Sequence, residues 1–206
     1  MRLFAAVLPP DSATSELADA AHALQRLPGA GELRWTARDS WHFTLAFMAD
    51  VEETAVPDLA ARLERAAHRT APFPLALRGS GHFGDRALWA GAAGDVAALR
   101  LLAQRADAAA RKAGIAMEEH RSYRPHLTLA RAHGRGGMDL RPSGGTGLRP
   151  YVDALAPFEG TAWTVGELTL VRSNLPRSGV LGERPRYEAV GRWVLGGGAG
   201  EPGGAG

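Results

Sequence analysis

"RPHLTLAR", residues 124–131, has a near copy upstream in "SWHFTLAF", residues 40–47. Both contain His-x-Thr-Leu-Ala, as His42-Phe43-Thr44-Leu45-Ala46 and His126-Leu127-Thr128-Leu129-Ala130. The chain has only seven histidines, and two of them occupy the same frame. Successive side chains on a strand point to opposite faces. Read as strands, the two segments put His42 with Thr44, and His126 with Thr128, on one face. Phe43, Leu45 and Phe47 in the first copy, and Leu127 and Leu129 in the second, fall on the other face, toward a core. Each strand thus offers an imidazole beside a hydroxyl on an apolar back.

Working outward, residues 3–8 read as a buried first strand. Asp11 or Ser12 is positioned to cap a helix after Pro10, in which Leu17, Ala21, Leu24 and Leu27 recur at helical spacing until Pro28-Gly29. "ELRWT" reads as a short strand. A second helix is expected over residues 54–68, with Val56, Leu59, Leu63 and Ala67 inward and Pro57 in its first turn. "FPLALRGSGHFGDRALWAG" reads as two strands or a hairpin around residues 79–85. Asp95 caps a third helix, closed by Gly114. Residues 132–150 read as a Gly-, Arg- and Pro-rich surface loop, and "VGELTLVRS" and "RYEAVGRWVL" as late strands. The expectation is one domain over residues 1–195, and a disordered Gly-rich tail over residues 196–206. Two helix-plus-strand halves, each with one His-x-Thr strand, point to an internal duplication.

A lone histidine on a strand is more often a hydrogen-bonded structural residue than a catalyst. Two His-Thr pairs in matching settings point instead to acid–base chemistry at a phosphodiester. One neutral imidazole takes a proton from water and one imidazolium protonates the leaving oxygen. The unperturbed histidine pKa near ~6.5 permits either form at neutral pH. The hydroxyls are preorganised donors for the non-bridging phosphate oxygens. Neither motif has a carboxylate at metal-ligand spacing, and Glu118, Glu119 and His120 read as a solvated turn. His22 and His68 fall on expected helices, His133 in a loop, and His82 near a hairpin turn beside Phe83.

The wider composition agrees. At 206 residues, 45% hydrophobic and 22% charged, the chain fits a globular unit with a substantial core. The net charge is only +2, so an anionic ligand has to be held by a local site rather than a general field. Most basic residues are arginines, which suit bidentate phosphate contacts. The absence of cysteine excludes disulfides, thiolate metal sites and cysteine nucleophiles. No apolar run is long enough to span a bilayer. A cytoplasmic monomer with no membrane partner is expected.

These segments resemble the two-histidine (2H) phosphoesterase superfamily, and specifically its RNA 2′,3′-cyclic phosphodiesterases, formerly called 2′-5′ RNA ligases. The likeness rests on the two H-x-T-x motifs and on the order of "RLFAAVLPP", "LRWTARDSWHFTLAFM", "GHFGDRALWAG", "YRPHLTLAR" and "LTLVRSNLPRSG…RYEAV". It implies a bilobal, pseudo-duplicated α+β fold, with two antiparallel sheets facing each other across a central cleft and helices outside. It also implies hydrolysis of a terminal 2′,3′-cyclic phosphate on RNA to a 2′-phosphate, with no metal and no cofactor. His42 would be the acid and His126 the base, although the residues alone allow the reverse. Thr44, Thr128 and Arg131 would bind the phosphate. Strict alternation puts Arg131 opposite His126, so it reaches the cleft only through a strand end or a bulge. Phe4, Arg34, Trp35, Phe83 and Trp89 match family positions; Phe4, Arg34 and Phe83 are the candidate substrate contacts, and core packing is the reading for most of the aromatic rings. The loop over residues 132–150 and the segment over residues 177–185 depart from the family pattern. Other readings are a 2H enzyme acting on a small cyclic nucleotide, a 2′-5′ linked oligonucleotide or ADP-ribose 1″,2″-cyclic phosphate, and a binder of nucleotides or RNA ends with little turnover.

Overall fold

The computed structural model describes residues 1–118, 122–132, 147–174 and 185–197. His133, the Glu119–His120 part of the acidic turn, most of the Gly-rich loop, nearly all of the segment before Pro185 and the end of the tail lie outside the described residues.

The strands are β1 (Leu3–Val7), β2 (Leu33–Trp35), β3 (Phe43–Met48), β4 (Phe73–Phe83), β5 (Ala87–Gly94), β6 (Leu127–Ala132), β7 (Trp163–Val165), β8 (Glu167–Asn174) and β9 (Arg186–Val194). The helices are α1 (Asp11–Leu24), α2 (Val56–His68), α3 (Val96–Lys112) and α4 (Arg149–Leu155). All pairings are antiparallel, in a four-stranded sheet of order β3-β1-β8-β9 and a five-stranded sheet of order β2-β6-β5-β4-β7. The expected α+β class and paired sheets are present, with one His-x-Thr strand in each.

The sheets are not sequential halves of the chain. The first takes β1 and β3 from the N-terminal part and β8 and β9 from the C-terminal part, while β2 crosses over to pair with the second motif strand, β6. Helices α2 and α3 pack on the first sheet, and α1 and α4 on the second. Their apolar stripes supply the fully buried Leu17, Leu59, Leu63, Leu99 and Leu102. Each such side chain contributes roughly 1.5–3 kcal/mol of transfer free energy. No helix among the described residues is long and apolar enough to cross a membrane.

Local chemistry accounts for the helix ends. The Asp95 carboxylate accepts from the Ala98 amide at 2.9 Å, a side-chain N-cap of α3 as expected. Helix α1 departs from expectation. It begins at Asp11 without a side-chain cap and stops at Leu24, short of Leu27. Asp11 is drawn instead to Arg38, whose guanidinium donates to its carboxylate at 2.6 Å, to its carbonyl at 2.8 Å and to Thr14 Oγ1 at 3.0 Å. Those bonds hold the short turn Arg38–Ser40 that leads into the first motif. Helix α4 and strand β7 were not expected. Tyr151 and Leu155, one turn apart, bury the inner side of α4, and the Tyr151 hydroxyl donates to the Pro28 carbonyl at 2.7 Å.

Candidate active site

The motif strands share one irregularity. On β3, Thr44 pairs with Ala6 and Ala46 with Ala5, so Leu45 is an extra residue with no partner on β1. On β6, Thr128 pairs with Trp89 and Ala130 with Leu88, so Leu129 is the extra residue opposite β5. Such a bulge shifts the alternation by one position. The burial of the two strands is the same up to the fifth residue: Phe43, Leu45 and Ala46 are buried around half-buried Thr44, and Leu127, Leu129 and Ala130 around half-buried Thr128. The next residue is exposed in both copies. Arg131 therefore joins His126 and Thr128 on the cleft face through a bulge. By the same device Phe47 is not a core residue, as regular alternation predicts, but turns into the cleft.

The cleft between the sheets has a volume of about 470 Å³ and is lined by His42, Thr44, His126, Thr128 and Arg131 together. Phe4 and Arg34 also line it. Phe83 does not, and instead meets the His126 ring edge-on at 4.7 Å between centroids. His82 is exposed and bonded to the Gly84 carbonyl. Arg2, Phe47, Ser173 and Tyr187 line the cleft too and were not singled out from the sequence. Only Arg2 had a usable signal, because it immediately precedes β1 in alternation with Phe4.

Each imidazole is tied down at one nitrogen. His42 Nδ1–H donates to the Ser40 carbonyl at 2.7 Å, and His126 Nδ1–H to the Arg124 carbonyl at 2.8 Å. The offset is two residues in both cases. A carbonyl can only accept, so the proton sits on Nδ1 and Nε2 is left for chemistry, a lone pair when neutral and a donor when charged. Aromatic rings fix the ring planes. Phe4 stacks on His42 with centroids 4.5 Å apart, and Tyr187 meets both rings edge-on. Trp89 stands 6.3 Å from His126. Trp89 lies across Gly81 of the paired strand, where a Cβ would run into the indole.

Burial pushes the His42 pKa down to about 4, against the opposing pull of its bond to Ser40, and the positive charges of His126 and Arg131 lower it further. The His126 pKa is lowered by burial as well, opposed by its bond to Arg124, with Arg131 and Arg124 adding to the depression. Two more guanidiniums, Arg2 and Arg34, line the cleft, and no carboxylate does among the described residues. Arg34 pairs directly across from Arg131. Like charges in that position repel, so the pair makes sense as part of an anion site. Among the described residues no group of three possible metal ligands gathers.

The family described as the 2′-5′ RNA ligase superfamily matches residues 9–177. An RNA 2′,3′-cyclic phosphodiesterase of Geobacillus stearothermophilus is 29% identical over 165 residues, covering 78% of this chain and 47% of that protein. The chain thus spans about half of that relative's length. One of Aquifex aeolicus is 26% identical over 168 residues, covering 80% of this chain and 82% of that protein. The crystal structure of Escherichia coli LigT without ligand superposes with a TM-score of 0.69 at 25% identity, covering 94% and 96% of the two chains. That of a Thermus thermophilus protein gives 0.70 at 26% identity, covering 95% and 98%. With a family match over most of its length and both H-x-T-x strands facing one cleft, the chain belongs to the 2′-5′ RNA ligase superfamily.

Proposed function

We propose that the protein hydrolyses terminal 2′,3′-cyclic phosphates on RNA to 2′-phosphomonoesters by metal-independent two-histidine acid–base catalysis. The observation that carries this reading is the pair of equivalent imidazoles lining one cleft, each tied at Nδ1 to the carbonyl two residues before it. Two relatives named RNA 2′,3′-cyclic phosphodiesterase support the substrate class. E. coli LigT, crystallised with 3′-AMP and with ATP, supports a nucleotide-phosphate site.

The cyclic phosphate sits between the two sheets. Thr44, Thr128 and Arg131 hold its non-bridging oxygens. His126 Nε2 takes a proton from water as the water oxygen attacks phosphorus. The P–O3′ bond breaks, and His42 Nε2–H gives its proton to O3′, leaving a 3′-hydroxyl and a 2′-phosphate. Proton transfer from water to His126 and from His42 to O3′ leaves both imidazoles in the opposite protonation state, which solvent exchange resets. A face-stacked phenyl ring favours a cation above it, so Phe4 supports His42 as the acid. Burial, with Arg131 and Arg124, disfavours the charged form of His126, which suits a base, while burial and Arg131 also keep His42 neutral until an anionic substrate is present.

The test is a product assay on an oligoribonucleotide ending in a 2′,3′-cyclic phosphate. The expected product is the 2′-phosphomonoester with a free 3′-hydroxyl. A 3′-phosphate product, or binding without turnover, would overturn the proposal.

A further inference from the structure

We propose that the cleft also holds a second phosphate, the one on the 5′ side of the terminal nucleoside, through Arg2, with Phe47 beneath the guanidinium. This rests on the cyclic-phosphate reading above and deepens it by naming the residue that meets the next phosphate along the RNA.

The reacting phosphate does not account for Arg2. A cyclic phosphodiester carries a single negative charge, and Arg131 with two threonines already faces it. Arg2 precedes β1 and continues its pairing, with its carbonyl accepting from the Ser173 amide at 3.0 Å, so it falls on the same face as Phe4, about 7 Å along the strand direction. Phe4 is the ring stacked on His42. Arg2 is thus one step further from the reacting centre than Phe4.

Arg2 is nevertheless arranged as a binding group. Its guanidinium lies over the Phe47 ring at 5.0 Å, which fixes its plane. Its Nε is buried without a hydrogen-bond partner. Among the described residues it has no ion pair. That unmet donor costs stability, and a ligand on the terminal nitrogens of the same guanidinium can offset the cost. The Phe47 ring is itself unusual, because the Leu45 bulge turns it out of the core and leaves it 39% exposed. A planar cation on an exposed ring offers charge to a phosphate and an apolar face to the adjoining ribose or base. Ser173, on the neighbouring strand, lines the same end of the cleft and adds a hydroxyl.

The experiment compares three substrates ending in a 2′,3′-cyclic phosphate: adenosine alone, the dinucleotide ApA, and ApA with an uncharged methylphosphonate linkage. For the wild-type protein, kcat/KM for charged ApA is expected to exceed that for its uncharged counterpart by about 10- to 100-fold, the worth of a charge-assisted hydrogen bond. Arg2→Met should collapse that ratio toward one, and Arg2→Lys should restore part of it. Equal rates for the charged and uncharged linkages in the wild type would overturn the inference, and so would a ratio that survives in Arg2→Met. The linkage comparison needs no variant, so misfolding of Arg2→Met leaves the question decidable. If no cyclic substrate turns over, it is the hydrolase reading that fails. Equilibrium binding of ApA ending in a 2′-phosphate, with charged or uncharged linkage, then decides the subsite by the same ratio.

Discussion

The depressed His42 pKa poses a quantitative problem for a general acid, and its solution is testable. With a pKa of about 4 in the free protein, only about one His42 in a thousand is protonated at pH 7. Half-protonation at pH 7 requires a rise of about three units, or roughly 4 kcal/mol at ~1.36 kcal/mol per unit. A unit negative charge about 4 Å from the imidazole, at an effective dielectric constant near ~20, supplies about 4 kcal/mol. The two magnitudes match, so an anionic ligand in the cleft is expected to charge His42.

Sulfate is a suitable probe because its charge stays constant over the working range. In ¹⁵N-labelled protein followed by long-range ¹H–¹⁵N correlation spectra, His42 should titrate near 4 without sulfate and near 7 or above with it. His126 should move in the same direction. Because the pair is coupled, the spectra report macroscopic values, and His126→Gln is needed to assign them. In kinetics, the bell of kcat/KM, which reports the free protein, should be centred below pH ~6.5, because both folded-state pKa values are lowered. The bell of kcat should lie at higher pH. A free-protein His42 that titrates near 6.5, or one that stays below 5 in saturating sulfate, would refute the reasoning.

Other outcomes follow from the same geometry. His42→Ala and His126→Ala should each lower kcat by about 10²–10⁴-fold, and Thr44→Ala and Thr128→Ala by much less, since water can replace a hydroxyl in an open cleft. With a p-nitrophenyl phosphodiester, whose leaving group needs no proton, His42→Ala should recover most activity and His126→Ala should not; the opposite pattern would exchange their roles. Arg131→Met should raise both histidine pKa values, because its cation lowers both, and the kcat/KM bell should move to higher pH with weaker substrate binding. Gly81→Ala forces a Cβ into Trp89; overpacking of this kind costs roughly 1–3 kcal/mol, and a displaced His126 should lower kcat with it, read by thermal melts and kcat measured together. Turnover should survive exhaustive chelation; activity lost in EDTA and restored by a divalent ion would reject the metal-free mechanism.

What the sequence revealed, and what it hid, divides by the range of the interactions involved. Helices α2 and α3 and the motif strands were legible because their signals are local: a 3.6-residue stripe, a capping aspartate and a two-residue alternation. The bulges were not. Leu45 and Leu129 look like ordinary alternating core residues, and an extra residue exists only relative to a partner strand far along the chain. Phe47 was therefore expected in the core, while the need for a bulge at Arg131 could be stated but not placed. Asp11 carries an N-cap signature, yet Arg38, distant in sequence, claims its carboxylate. Helix α4, with seven residues, and β7, with three, are too short for periodicity to stand out. The crossover of β2 to the second motif strand is a long-range pairing that no local pattern encodes.

The repeated frame encodes more than two side chains. In each copy the residue two before the histidine supplies a carbonyl, the leucine forms a bulge, and the residue after the alanine is delivered to the cleft. Up to that last residue the copies are equivalent, and equivalent sites would give both imidazoles the same proton affinity. The symmetry breaks where one copy delivers Phe47 and the other Arg131. It breaks again at the ring partners, with Phe4 face-stacked on His42 and Phe83 edge-on to His126. A 2′,3′-cyclic phosphate is itself nearly symmetric about phosphorus, yet hydrolysis to the 2′-phosphate expels O3′ and keeps O2′. An enzyme for that reaction needs one imidazole charged and the other neutral once the substrate is bound. Burial and Arg131 lower both pKa values, His42 to about 4, so the separation the chemistry requires is made in the complex, where the aromatic face beneath His42 favours its charged form and Arg124 bears on His126 alone. Exchanging Phe47 and Arg131 in a double variant should therefore cost selectivity between the two possible products more than it costs fold stability. Product analysis by enzymatic end-group digestion and thermal unfolding of the same variant decide it. An unchanged 2′-phosphate yield would show that the rings, and not the sixth residue of each frame, set the direction of opening.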